Sequence, residues 1–148
     1  MRPEGARPAP LVLDTNIVLD LLVFADPAAQ PLRAGLALGR FDWLATPAMR
    51  DELERVLGYA QIAARLELGG LQVPEVLAQF DRQTRIVEVP PRAPFACADP
   101  DDQKFIDLAV RYQCLLLSKD AAVLALSRKL AVLKVSVVPG LPPASSGP

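Results

Sequence analysis

The strands this sequence offers are continuous apolar runs rather than alternating ones. Leu11–Leu13 and Cys114–Leu117 contain no polar position, and stretches of helical spacing lie between such runs. A strand that is apolar on both sides of its pleat needs cover on both faces. Strands separated by helices are joined by crossovers, which makes neighbouring strands parallel. The pattern therefore predicts an α/β fold built on a parallel sheet with helices on both faces.

The first run carries the sharpest local signal. In LVLDTNIVLDLL, residues 11–22, three apolar residues run into Asp14, Thr15 and Asn16, and a second apolar block follows at once. A buried strand that turns into a helix fits this, and Asp, Thr and Asn all serve as helix caps. In an open parallel sheet such a turn stands at the carboxyl edge, where ligand sites form. Asp14 has two readings on residues alone, a capping acid or a chemical one.

In chain order, residues 1–10 are Pro- and Ala-rich and read as a loose lead-in, and residues 11–138 as one domain. After the strand at 11–13 a helix is predicted from about Asn16 to Phe24, broken by Asp26-Pro27. Another starts at Pro31 and ends at Gly39. A strand at Phe41–Ala45 precedes the cap Thr46 and Pro47, which open a helix to about Leu57. Gly69-Gly70 and Pro74 punctuate a helical middle, with one helix from Pro74 to Thr84 and a strand at 85–89. Pro90–Pro94 is a rigid connection. Asp99-Pro100 starts a helix to Gln113, 114–117 is a strand, Asp120 caps a helix to Leu130, and 134–138 is the last strand. The Pro, Ser and Gly tail, 139–148, reads as disordered.

This arrangement gathers acids. Asp14 and Asp120 follow strands, and each crossover helix begins near the same carboxyl edge, so acids at helix starts converge there. In MRDELERVLGYA the apolar face carries Met49, Leu53, Val56 and Ala60, with Glu52 on its border, whereas Asp51 shares the wet side with Glu54 and Arg55. In DPDDQKFIDLAVRY, Asp102 stands one turn ahead of Phe105, Ile106, Ala109 and Tyr112. Asp107 falls in phase with Lys104 and Arg111, the pattern of a solvated face. Capping accounts for Asp99 and Asp120 individually, and a favourable helix dipole accounts for Asp102. Clustered carboxylates without cations repel one another, which points to a divalent ion. The sequence has no histidine, and Cys97 and Cys114 form neither a zinc pattern nor a disulfide framework, so oxygen ligands select Mg²⁺ or Mn²⁺.

Net charge is −1, which excludes a polybasic nucleic-acid arm and leaves any phosphate contact to local groups. Arg92 and Lys119 are the candidates for such contacts. Reduced cysteines suit a cytoplasmic protein. No signal peptide is read at the N-terminus, and no apolar run approaches the length of a membrane span.

Four motifs in order resemble one family: LVLDTN at 11–16, DELERVL at 51–57, DPDDQKFIDLA at 99–109 and LLSKD at 116–120. The chain resembles the PIN domain, the metal-dependent ribonuclease fold of VapC-like proteins, and most closely the branch described as toxin components of toxin–antitoxin pairs. The resemblance covers 11–138. It implies a PIN-like three-layer α/β/α fold with a central parallel sheet of about five strands. It also implies an endoribonuclease that uses Mg²⁺ or Mn²⁺ to hydrolyse RNA phosphodiesters.

By the same resemblance Asp14, Glu52, Asp102 and Asp120 are the catalytic and metal-binding quartet. Asp14 and Asp102 would be the main ligands, and Glu52 and Asp120 would complete the set or accept a proton from water. Asn16 would orient Asp14 or a water, and Ser118 stands where the family often has Thr. Ala98 replaces an Arg common in this branch. Asp99 and Asp101 remain rivals to Asp102. The implied partners are RNA, a small antitoxin and a second copy of the chain. The apolar helical stretches around 32–38 and 62–71 are available for protein contacts.

Other acid-bearing folds fit less well. A haloacid-dehalogenase-type phosphatase would need a second Asp where Asn16 stands. A response-regulator receiver needs a different order of acids and lysine. The alternative of another class is a PIN-like module that binds RNA or protein without cutting, and metal-dependent cleavage abolished by Asp14→Asn separates it from the enzyme.

Overall fold

A computed structural model describes residues 7–143. Its elements in chain order are β1 (Ala9–Leu13), α1 (Thr15–Leu22), α2 (Gln30–Ala37), β2 (Phe41–Ala45), α3 (Pro47–Leu57), α4 (Ala60–Leu68) and α5 (Val73–Gln83). Then follow β3 (Thr84–Ile86), α6 (Gln103–Tyr112), β4 (Leu115–Leu117), α7 (Ala121–Leu124), α8 (Ser127–Val132) and β5 (Ser136–Val138). Short 3₁₀ turns at Pro27–Ala29 and Pro100–Asp102 each follow an aspartate whose side chain accepts a backbone N–H.

The strands form one sheet in the order β3-β2-β1-β4-β5, and every pairing is parallel. Successive strand residues point to opposite faces, and Leu11 and Val12 are both fully buried, so helices cover the sheet on each side. This is the three-layer α/β/α arrangement. The chain runs outward from β1 through β2 to β3, then returns to the other side of β1 with β4 and β5. The direction of winding therefore reverses between β1 and β4, and the carboxyl ends of those two strands flank the crevice where such sheets hold ligands.

Packing fixes the helices that reach this edge. Trp43 of β2 and Phe80 of α5 meet edge to face, with ring centroids 5.2 Å apart at 82°. Met49, Leu53 and Leu57 bury one face of α3, which packs on α1 and α5. Phe105, Ile106, Leu108 and Ala109 bury α6 against β1 and β4. Between α2 and β2 the approach is close: a Cβ built on Gly35 would lie 2.5 Å from Cε2 of Phe41. Gly39 takes a φ of 71° and ends the turn after α2, a conformation that suits glycine.

Some boundaries differ from those predicted. β1 begins at Ala9, inside the stretch read as lead-in, because Ala9 and Pro10 pair with Phe41 and Asp42. Residues 1–6 and 144–148, and with them half of the expected tail, lie outside the described residues. The strand expected at 85–89 is only Thr84–Ile86, since β3 is an edge strand and the chain leaves it into the proline-rich connection. The single helix expected from 120 to 130 is two, α7 and α8, separated where the Leu126 N–H bonds three residues back to Val123. No helix among the described residues is long and apolar enough to cross a membrane.

Candidate metal centre

Asp14 leaves β1 in register with β4, its N–H donating to the Leu117 carbonyl at 3.1 Å. One carboxylate oxygen caps α1 by accepting from Ile17 N–H at 3.0 Å, and the other accepts from the Ser118 hydroxyl. Capping and placement at the sheet edge are thus properties of the same side chain. Ser118 also accepts the Asp120 N–H at 3.1 Å, and Asp120 in turn caps α7 through Ala122 N–H at 2.8 Å. A single serine links the ends of the two central strands.

Asp99, Asp102 and Asp120 each offer a carboxylate oxygen within 4.8 Å of the others. Asp99 spends one oxygen on Asp101 N–H at 3.0 Å, starting the 3₁₀ turn that delivers Asp102. Asp102 caps nothing, and its Oδ2 is buried without a hydrogen-bond partner. Burial, reinforced by Asp120, Asp99 and Asp14, pushes the Asp102 carboxyl up to about 7. Asp14, 2% exposed, is also raised, mainly by burial and against the hydrogen bonds from Ser118 and Ile17. Buried carboxylates that resist ionising together are what a divalent cation relieves. The donors are all oxygen, so the residues present fit a hard ion.

Across the pocket, Glu52 projects from α3. Its Oε2 accepts from the Thr15 hydroxyl, its Oε1 from the Lys104 ammonium, and Arg55 stands 4.0 Å from Oε1. Asp14, Thr15, Asn16, Glu52, Arg55, Val56, Tyr59, Asp101 and Asp102 line a pocket of about 180 Å³. Tyr59 is 48% exposed at this pocket, so an aromatic face and a guanidinium accompany the acids.

The sequence matches the family model described as PIN domain over residues 10–122. The chain belongs to the PIN domain family. PIN domains are generally nucleases, and this one presents an acidic cluster able to bind a metal ion at the crevice of its sheet. No curated protein matches the sequence.

Within this PIN fold the candidate residues separate. Asp14, Asp102 and Asp120 share the strand-end crevice, with Asp99 beside them, and Glu52 and Asn16 line the same pocket as Asp14 and Asp102. Asp101 is exposed on the pocket rim. Lys119 pairs with Asp20 and lines a different pocket with Ile17, Leu117 and Gly140. Arg92 is exposed in the connection before α6.

Two residues assigned to a solvated face are elsewhere. Lys104 turns into the acidic pocket, because its flexible stem lets the ammonium reach Glu52 and the Asp101 carbonyl. Asp107 accepts from Ala93 N–H and from Gln103 Nε2, both at 2.8 Å. Gln103 also binds Cys97 N–H at 2.6 Å and the Phe95 carbonyl at 3.1 Å. Together they strap the proline-rich connection onto α6 just ahead of Asp99 and Asp102. The signal available in the sequence was that connection itself: a proline-rich segment without strand partners needs side chains to satisfy its backbone.

Proposed function

We propose that this PIN domain is a divalent-metal-dependent endoribonuclease whose reactive set is Asp14, Glu52, Asp102 and Asp120. The observation that carries the reading is the buried, unpartnered Oδ2 of Asp102 among Asp99, Asp120 and Asp14. Leaving such an atom without a partner costs on the order of 1–3 kcal/mol, and a cation is a partner that the clustered carboxylates of Asp99, Asp102 and Asp120 can share.

Asp14 and Asp102 would hold Mg²⁺ or Mn²⁺, with Asp120 completing the set and Glu52 reaching it through a bridging water. Such an ion, when bound, polarises a phosphoryl oxygen and favours ionisation of water. The chain's own groups do the positioning. Ser118 fixes Asp14 in rotation, and Asn16 stands beside it at the pocket wall to orient a water. Glu52 is available as the proton acceptor, held by Thr15. Exposed Tyr59 can stack a nucleobase and Arg55 can meet a phosphate, both suited to an unpaired RNA strand.

The resemblance of the four motifs extends the proposal to biology. In that reading the chain is the toxin of a toxin–antitoxin pair, acts on RNA in the cytoplasm, is blocked by a small antitoxin and pairs with a second copy. Purified protein incubated with structured and single-stranded RNAs tests the chemistry. Cleavage in Mn²⁺ or Mg²⁺, lost with chelator and with Asp14→Asn, is the expected result. Folded protein that neither cuts any RNA nor binds Mn²⁺ would sink the enzyme in favour of a binding module.

A further inference from the structure

We infer that Lys104 is the second cation of this centre, an ammonium seated where a second divalent ion would otherwise balance Glu52, so that the site takes one metal ion. The inference rests on the metal-centre reading above and narrows it.

The acids of the pocket divide by how their charge is met. Glu52 is supplied on both oxygens, by Thr15 and by Lys104, with the Arg55 guanidinium a more distant charge at 4.0 Å. Asp14, Asp99, Asp102 and Asp120 take part in none of the ion pairs among the described residues. Their donors are backbone N–H groups and a serine hydroxyl, and Asp102 Oδ2 has no donor at all. One half of the crevice therefore lacks a cation and the other half contains one.

Lys104 is held as a fixed part of the site. Its ammonium donates to Glu52 and to the Asp101 carbonyl, and it lies 4.9 Å from the centroid of the Phe105 ring. An ammonium has three donors and no acceptor, so these contacts occupy it as a point charge facing the carboxylate. Only 25% of the Lys104 side chain and 13% of Glu52 are exposed, which limits screening by solvent. A divalent ion brought to Glu52 would have to displace this ammonium or stand against its charge. An ion among Asp14, Asp102 and Asp120 meets carboxylates alone.

The test is Mn²⁺ stoichiometry by equilibrium dialysis on the full chain, with folding followed by circular dichroism. One ion per chain is expected for the wild type and for Lys104→Arg, and a second, weaker ion for Lys104→Met and Lys104→Gln. Two variants of different polarity guard against one that fails to fold. Two ions on the wild type, or one ion on every folded variant, would overturn the role given to Lys104 and leave the metal centre standing. No Mn²⁺ on the wild type would overturn the metal centre itself.

Discussion

The hydroxyl of Ser118 donates to Oδ2 of Asp14 from 104 positions away in the sequence, and its oxygen accepts the N–H of Asp120. Ser118 is fully buried, so both bonds are made out of water's reach. Ser118→Ala removes the donor from a buried carboxylate and the acceptor from a backbone N–H. The expected cost is about 1–3 kcal/mol in urea unfolding, together with weaker Mn²⁺ binding. Ser118→Thr keeps the hydroxyl and should retain Mn²⁺ affinity.

Asp102→Asn removes a crowded, half-buried carboxylate whose Oδ2 is buried without a hydrogen-bond partner. The metal-free variant should melt higher than wild type by a few degrees, on the order of 1 kcal/mol. Added Mn²⁺ should raise its melting temperature far less than it raises that of wild type. Differential scanning calorimetry with chelator and with Mn²⁺ measures both.

The pH dependence of the metal-free protein follows from the same groups. Asp102 rises from 3.8 to about 7 in the folded protein, and Asp14 is raised in the same direction. Between those two values the folded state binds more protons than the unfolded state, so these acids make stability fall as pH rises and then level off above about 7. Asp81, lowered by Arg50, has the opposite slope, but only below its unfolded value of 3.8. With chelator present, the urea midpoint should be higher at pH 5 than at pH 8, and saturating Mn²⁺ should reverse the order.

Gln103 binds Cys97 N–H, the Phe95 carbonyl and Asp107 at once. Gln103→Leu keeps the volume but strands backbone groups of the connection. A loss of about 1–3 kcal/mol is expected by chemical denaturation. Limited proteolysis should show faster cutting between Pro90 and Ala98, the stretch the glutamine straps down.

Tyr59 is half exposed and accepts no structural duty in the core. Tyr59→Ala should leave the melting temperature within about a degree of wild type, as surface changes usually do. On a single-stranded RNA it should raise KM by roughly tenfold with kcat little changed, the value of one lost stacking contact. An unchanged KM would remove Tyr59 from the substrate path.

What the sequence by itself determined is the frame and the address. Apolar runs such as Leu11–Leu13, the caps at Asp14 and Asp120 and the prolines at Pro47 and Pro100 are local patterns, and each acts through its own neighbours. They suffice for a parallel sheet with acids at its carboxyl edge. The tertiary structure alone decided which groups face each other there. Helical phase pointed to Asp102, one turn ahead of the apolar face of α6, but the 3₁₀ turn at Pro100–Asp102 winds more tightly than an α-helix, and phase could not show that Asp99 stands beside it. The separation between Lys104 and Lys119 was equally hidden. A lysine's stem is apolar and flexible, and where its charge settles depends on carboxylates far along the chain, Glu52 for one and Asp20 for the other. Ser118 joined Asp14 because parallel pairing set β4 beside β1, a relation between distant segments that no local pattern contains.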